Sequence, residues 1–299
     1  MPLHGTDQRP AGWPPRAAGR TGPAALNPTA EADAVPMRPG TGRDREPGQA
    51  VATWWLARGE DQLPAAGDWL SAAERGRAGT MRYTKRRTDF LLGRWTLKLA
   101  VAKALGWPDD PAVLARIEGR NKPTGAPLLY IDGQPADRGV SLTDRAGCAV
   151  CLVAAGPAAV GCDVEIVEPR SDAFVRDYLT QAEQRLVAAA GPARDMAANL
   201  VWSAKESALK VLETGLRRDT RSVEVEVDVA ELSPQERSWS ALRVRTAEGE
   251  VFPGWWRRSG SFLVTACWPG GGPPPGVLET QSPIDTMRPS HRWVGRPVS

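Results

Sequence analysis

The chain has 299 residues, 41% of them hydrophobic and 24% charged, with a net charge of +3. That hydrophobic share sustains a real core, and the small positive balance is not a nucleic-acid binder's composition, though it suits an anionic ligand or an acidic partner. Only two histidines exist, His4 and His291, both near the ends, which excludes a Ser-His-Asp triad, a histidine zinc site and a histidine general base, so any chemistry must run on carboxylates, lysines and a hard metal.

Residues 1–50 are rich in Pro, Gly, Ala and Arg without apolar periodicity and are expected to be disordered. Met1 to Ala30 lacks the apolar run of a signal peptide. Ala52 to Arg58 reads as a first strand. Ser71-Ala72-Ala73-Glu74 is a capping box, in which serine and glutamate satisfy each other's backbone donors. A helix should start near Ala72, with an interruption around Gly76 and Gly79. A longer helix is predicted from Tyr83 to Leu105. Phe90, Leu97 and Val101 share one side of it, while Arg87, Arg94 and Lys98 share a stripe. Arg82, Lys85 and Arg86 make a basic end, for which a solvated face is the ordinary explanation.

Cys148 to Ala154 reads as a strand, Gly156-Pro157 as a turn, and Ala159 to Glu165 as a second strand. The longest apolar stretch, Ala146 to Cys162, is broken by that turn and too short to span a bilayer. The protein is expected to be soluble and cytoplasmic. Cys148 and Cys151 have C-x-x-C spacing, but on a strand they face opposite sides. Buried reduced thiols are expected for all four cysteines, Cys148, Cys151, Cys162 and Cys267. A helix from Gln181 to Ala190 opens on another capping box, Thr180 with Glu183. The next helix runs from about Arg194 to Glu213, with Gly215 as its stop. Val223 to Val229, Ser240 to Thr246 and Phe262 to Trp268 look like strands, and Trp255 to Arg258 is a shorter candidate. The Gly- and Pro-rich run from Gly270 onward starts a second tail.

Two stretches carry the chemistry. In Gly161-Cys162-Asp163-Val164-Glu165, Asp163 and Glu165 point the same way, because strand side chains two apart share a face. Two such carboxylates repel unless something positive sits between them, and a hard divalent cation is the usual solution. In Trp202-Ser203-Ala204-Lys205-Glu206-Ser207, extended to Lys210, a helical wheel places Val201, Ala204, Ala208, Leu209 and Leu212 on an apolar arc. Glu206 and Lys210 fall together just past its edge, and Lys205 lands inside it. Each stretch also has a plain structural reading. The acidic pair suits an exposed strand face, Glu206 and Lys210 an i,i+4 helix pair, and Lys205 a snorkelling side chain.

The combination resembles the 4'-phosphopantetheinyl transferase superfamily, in its single-chain type that modifies carrier domains of polyketide and nonribosomal peptide synthases. The family signature is Gly-x-Asp-x-Glu, a gap of about forty residues, then Trp-x-x-Lys-Glu-[Ser/Ala]-x-x-Lys. Gly161, Asp163 and Glu165 match the first block, and Trp202, Lys205, Glu206, Ser207 and Lys210 the second. A looser likeness runs from about Leu70 to Trp268.

The resemblance implies an α+β fold of two similar halves, a pseudo-dimer with the active site at their interface, flanked by disordered tails. Residues 1–50 would be one tail, 51–155 the first half, 156–269 the second half with the metal site, and 270–299 the other tail. It implies transfer of the 4'-phosphopantetheine arm of coenzyme A to a carrier-domain serine, releasing adenosine 3',5'-bisphosphate. Mg²⁺, with Mn²⁺ as a substitute, would be held by Asp163, Glu165 and Glu206. Glu183 falls at the family's general base, where capping and catalysis both fit, and Lys205 would serve the leaving phosphate. Arg86, Arg94, Thr143, Asp144 and Lys210 would lie along coenzyme A. The partners would be a carrier domain and coenzyme A, with no nucleic acid and no membrane, and the protein would act as a monomer.

The chain departs from the family pattern twice. Ala126 stands where Gly-Lys-Pro is usual, with Lys122 offering another register. Asp144 stands where a phosphate-binding histidine is usual, and Arg145 is a substitute source of charge. Two other readings stay open. One is a non-catalytic protein that binds coenzyme A or a carrier domain, and the other is a Mg²⁺ phosphohydrolase.

Overall fold

Two similar runs of elements, each a strand, then helices, then further strands, follow one another along the chain, in a computed structural model that describes residues 50–228, 232 and 237–290. The first run comprises β1 (Thr53–Gly59), α1 (Ala72–Gly79), α2 (Thr84–Ala104), α3 (Pro111–Ala115), β2 (Ile117–Asn121), β3 (Pro127–Ile131), β4 (Gln134–Pro135), β5 (Val140–Arg145) and β6 (Cys148–Ala154). The second comprises β7 (Gly161–Ile166), α4 (Asp172–Tyr178), α5 (Gln181–Ala189), α6 (Arg194–Val211), β8 (Val223–Glu226), β9 (Ser240–Thr246), β10 (Val251–Ser259) and β11 (Phe262–Cys267). In each run the first strand pairs antiparallel with the last, which pairs antiparallel with the strand before it. A long helix lies on that sheet, α2 on β1 and β6 and α6 on β7 and β11.

Strand alternation explains the layers. Cys148, Val150 and Leu152 of β6 meet Cys162 and Val164 of β7 and Phe262 and Val264 of β11 in one core between the two sheets. Cys151 and Val153, on the other side of β6, pack with Leu97, Ala100 and Val101 of α2. On the far side, Val201, Ala204 and Leu209 of α6 cover Leu242, Trp256 and Leu263. The order is therefore helix, sheet, sheet, helix, an α+β architecture. Cys148 and Cys151 do face opposite ways, and all four cysteines are free and buried. Among the described residues no helix is long and apolar enough to cross a membrane.

A buried ion pair recurs with the repeat. Ser71 and Glu74 cap α1, and Glu74 Oε2 also meets Lys98 Nζ of α2 at 2.7 Å. The other oxygen, Oε1, accepts from the Gly119 backbone N–H at 3.1 Å. Lys98 then donates to the carbonyls of Leu114 and Ile117. In the second run Thr180 and Glu183 cap α5, and Glu183 Oε2 meets Lys205 Nζ of α6 at 2.8 Å. Glu183 Oε1 accepts from the Val225 N–H at 2.8 Å, and Lys205 donates to the carbonyls of Thr220 and Val223. The two lysines are 0% exposed and the two glutamates 3% and 1%.

Three expectations need correction. α1 runs unbroken through Gly76 and ends at Gly79, because its capping box and the buried Glu74 outweigh the glycine penalty. β10 is longer than the expected Trp255 to Arg258, running Val251–Ser259 through Pro253 and Gly254. In fact a Cβ at Gly254 would stand 2.6 Å from the Ala266 carbonyl oxygen, so the close strand approach requires the glycine there.

The second tail is not disordered through Ser290. Here β12 (Gly276–Val277) adds a parallel strand to β1, Ile284 is fully buried, Arg58 grips Glu279 with both ends of its guanidinium, and Arg257 holds Asp285 at 2.7 Å. Residues 1–49, most of the expected first tail, and 291–299, the end of the second, lie outside the described residues, as does Val229 at the end of the strand expected from Val223.

Removing one partner of a buried ion pair strands the other charge. Lys98→Met is expected to lower stability by roughly 3–5 kcal/mol, read as a lower denaturant midpoint at unchanged slope. An unchanged midpoint would show that the pair holds nothing.

Candidate active site

The site forms where α6 crosses β7. The helix comes so close that a Cβ at Gly161 would lie 1.9 Å from the Ser207 carbonyl oxygen, which is why a glycine opens the acidic motif. Asp163 and Glu165 leave β7 on the face opposite the sheet–sheet core and meet α6. Asp163 Oδ1 accepts from Lys210 Nζ at 2.9 Å and from Thr143 Oγ1 of β5 at 3.0 Å. Asp163 Oδ2 accepts from Ser203 Oγ at 2.9 Å. Glu165 Oε1 accepts from Trp202 Nε1 at 3.0 Å and Oε2 from Arg170 Nη2 at 3.1 Å, with Arg145 Nε 3.3 Å away. Thr143 and Arg145 come from the first run of elements and the rest from the second, so the acidic pair sits at their junction.

Glu206 differs from its neighbours. Among the described residues it has no hydrogen-bond or ion-pair partner, and burial, together with the Asp163 and Glu165 carboxylates, pushes its carboxyl up to about 7 against the pull of Lys210. Burial and Asp163 also raise Glu165, with Arg145 and Arg170 opposing. For Lys210, burial works to lower the pKa, and Asp163 outweighs it to leave a net rise.

Three hard oxygen donors, two of them raised by burial and by the Asp163 charge, suit a divalent cation. Among the described residues, however, no three acidic, cysteine or histidine groups already converge to hold one. In this structure the oxygens of Asp163 and Glu165 are bonded to Lys210, Arg170 and Trp202.

A cavity of about 440 Å³ adjoins this cluster, lined in part by Lys122, Ala126, Ser141, Pro157, Lys210 and Glu213. Lys122 and Ala126, the two candidate registers, thus border the same space, and the amino group there belongs to Lys122, paired with Glu213.

Not every expected site residue arrives. Glu183 and Lys205 are enclosed with each other and with backbone groups, so neither offers an atom to a substrate. The apolar arc that contained Lys205 on the helical wheel was the sign of this burial. Arg94 is 6% exposed, 3.6 Å from Glu74, bonded to Asn121 and stacked over Phe90 at 5.0 Å, so it belongs to the interior of the first run. Thr143 spends its hydroxyl on Asp163. Arg86 is exposed on the first turn and a half of α2. Asp144 is exposed near the end of β5, and its carboxyl is raised by desolvation, Asp89 and Asp163 against the opposing pull of Lys85 and Lys210. Arg145 pairs with Glu165 and Glu168 and does not stand free for a phosphate.

Sequence reasoning missed Arg170, Ser203 and Thr265. Ser203 lies inside the helical motif and shares a face with Lys210, so its part was readable; Arg170 and Thr265 carry no local signal.

Residues 159–267, which contain this cluster, match the sequence profile of the 4'-phosphopantetheinyl transferase superfamily. The chain therefore carries a domain of that superfamily, and the domain is of the enzyme class that transfers 4'-phosphopantetheine. Among solved structures it is similar to a holo-(acyl-carrier-protein) synthase from Bacillus anthracis str. Ames in complex with CoA (3',5'-ADP), at 23% identity over 36% of this chain and 96% of that one, TM-score 0.30. It is also similar to Thermotoga maritima holo-[acyl-carrier-protein] synthase, at 24% identity over 44% of this chain and 76% of that one, TM-score 0.30. No curated protein matches the chain.

A carboxyl raised on folding binds its proton more tightly in the folded state. Stability from Glu206 is present below the ordinary glutamate value of 4.5 and is lost as pH rises to about 7. In chelator-treated protein, Glu206→Gln should therefore raise the melting temperature at pH 8 and leave it unchanged near pH 4. Calorimetry at the two pH values checks this, and equal shifts at both would contradict it.

Proposed function

We propose that this chain transfers the 4'-phosphopantetheine arm of coenzyme A to a serine of a polyketide or nonribosomal peptide carrier domain, as a Mg²⁺-dependent cytoplasmic monomer. The observation that carries the reading is the Asp163–Lys210 pair at 2.9 Å, beside a cavity that Lys210 lines, with Glu165 on the same face of β7 and Glu206 one turn before Lys210 on α6. Two similar runs of elements in one chain supply both walls of that site, which supports action as a monomer.

Asp163, Glu165 and Glu206 are the residues that would hold Mg²⁺ or Mn²⁺. When bound, the metal supplies charge neutralisation on a diphosphate. Lys210 contributes a mobile point charge for a phosphate oxygen, being partly exposed and within reach of both Asp163 and the cavity. Lys122 adds a second ammonium on the opposite wall. Thr143 and Ser203 hold the Asp163 carboxylate in one orientation. Glu183 and Lys205 keep α6 in place and take no chemical step. Arg86 remains the candidate for a peripheral phosphate of coenzyme A.

Asp144 favours a second reading. An acid stands where the resemblance implies a phosphate-binding histidine, which suits a protein that binds coenzyme A or a carrier domain without turnover. Intact-mass analysis of an apo-carrier domain with coenzyme A decides between the two. Under the transferase reading the carrier gains the arm only with Mg²⁺, and Asp163→Ala or Glu206→Ala cuts the rate beyond the roughly 10–100-fold that loss of an outer-shell partner costs. Tight coenzyme A binding with no mass gain would establish the second reading, and free phosphopantetheine in solution would mark a hydrolase.

Glu183→Gln separates brace from base. It should lower the melting temperature while the folded fraction keeps turnover within about tenfold, below the 10²–10⁴-fold that general-base catalysis contributes. A larger loss at unchanged stability would return Glu183 to the chemistry.

A further inference from the structure

Behind Asp163, away from the cavity, three hydroxyls form a continuous line. Thr265 of β11 is the direct cross-strand neighbour of Asp163. Its Oγ1 lies 2.9 Å from Ser203 Oγ and 2.7 Å from Ser207 Oγ, and Ser203 Oγ lies 2.9 Å from Asp163 Oδ2. All three hydroxyl residues are 0% exposed, so water cannot replace a missing partner.

Proton counting fixes the direction of the line. A hydroxyl has one proton to donate. The Asp163 carboxylate, paired with the Lys210 ammonium, is an acceptor only, so Ser203 donates to it. Ser203 must then accept from Thr265. Thr265 has spent its proton and must accept from Ser207. Ser207 Oγ also reaches the Thr265 carbonyl oxygen, at 3.3 Å. The one direction that places a proton in every hydroxyl–hydroxyl contact is Ser207 to Thr265 to Ser203 to Asp163, with the Ser207 proton directed at the nearer Oγ1. Hydrogen bonds aligned head to tail polarise one another, and each strengthens the next.

We propose that Thr265 is a positioning residue for this site, the middle of a one-way hydroxyl relay that locks the Asp163 carboxylate with Oδ2 turned inward on Ser203 and Oδ1 turned to Lys210 and Thr143, the orientation in which Asp163 would serve as a metal ligand. The proposal rests on the assignment of Asp163 as a metal ligand given above. Thr265 touches no substrate and acts only through Ser203. A valine there keeps the shape and removes both the donor and the acceptor. Ser203 would then lose its partner, and its hydroxyl would be free to rotate off Asp163. A serine at the same place keeps the relay and loses one methyl group.

The test is Mg²⁺ affinity of the full chain by titration calorimetry without coenzyme A, alongside Mg²⁺-dependent transfer. Thr265→Val is expected to weaken Mg²⁺ binding by roughly 10-fold, at the low end for an outer partner of a metal ligand, and Thr265→Ser to stay within about twofold of wild type. In an Asp163→Asn background the Thr265→Val change should have no further effect. If Thr265→Val does not fold, Ser207→Ala serves instead, because it breaks the relay at its far end and should weaken binding less in the same direction.

Wild-type affinity in Thr265→Val, or in a folded Ser207→Ala used in its place, would overturn the relay alone and leave the transferase reading intact. Equal weakening by valine and serine would overturn it in favour of packing. Absence of Mg²⁺ binding by the wild-type protein would overturn the metal assignment and the relay with it.

Discussion

The buried glutamate–lysine pair at each long helix is the interaction on which the rest depends. Each glutamate closes a capping box, ties down a strand N–H and neutralises a lysine that itself holds two carbonyls. An ammonium without its partner would cost several kcal/mol at full burial, so the arrangement is stable only when complete. That makes it a gauge for the helix. Lys205 must face the turn before β8, and the rotation of α6 follows. Ser203, Ser207 and Lys210, at i, i+4 and i+7, then share the face that meets β7, with Glu206 at its edge. The active-site face is thus set by a contact on the other side of the helix.

The repeat also shows what that gauge does not specify. One residue beyond Lys98 stands Leu99, buried at 2%, and one beyond Lys205 stands Glu206. Two residues before the lysines are Thr96, bonded back to the Leu92 carbonyl, and Ser203, bonded to Asp163. Five residues beyond are Lys103, paired with Glu279 of the C-terminal segment, and Lys210, paired with Asp163. One scaffold supports an apolar contact in the first run and an acidic cluster in the second. The brace carries no site chemistry of its own, because the first run has the brace without the acids. This is the strongest reason to read Glu183 and Lys205 as structural.

What the sequence made legible was local. The i,i+2 spacing put Asp163 and Glu165 on one strand face, the wheel put Glu206 beside Lys210, and both capping boxes announced their helices. Spacing tells which residues share a face but not what covers it. Arg94 looked like part of a basic stripe because nothing near it in sequence shows that Glu74 and Asn121 enclose it. The segment after Gly270 looked disordered because its composition is that of a linker. A few anchors, Glu279, Ile284 and Asp285, were enough to fasten it, and their partners Arg58 and Arg257 lie far away in sequence. Arg170 and Thr265 reach the site only through tertiary contact. The duplication escaped notice because what repeats is a set of partners, not a string of residues.

The three acids are unequally satisfied, and the inequality has a direction. Asp163 receives two hydroxyl donors and an ammonium, Glu165 an indole N–H and two guanidinium groups, and Glu206, among the described residues, nothing. Charge-assisted hydrogen bonds are roughly twice as strong as neutral ones, so the first two carboxylates are held rigidly while the third is left to repel them. A site built for stability alone would neutralise Glu206 or replace it, as Leu99 does in the first run. Leaving one carboxyl crowded and unpartnered beside two fixed ones costs folding energy, which a cation would recover under the function proposed above. The strain is concentrated at Glu206, at the edge of the helix face that meets β7, so under the metal reading proposed above the side chain with most to gain from a cation is also the one with fewest bonds to break to reach it.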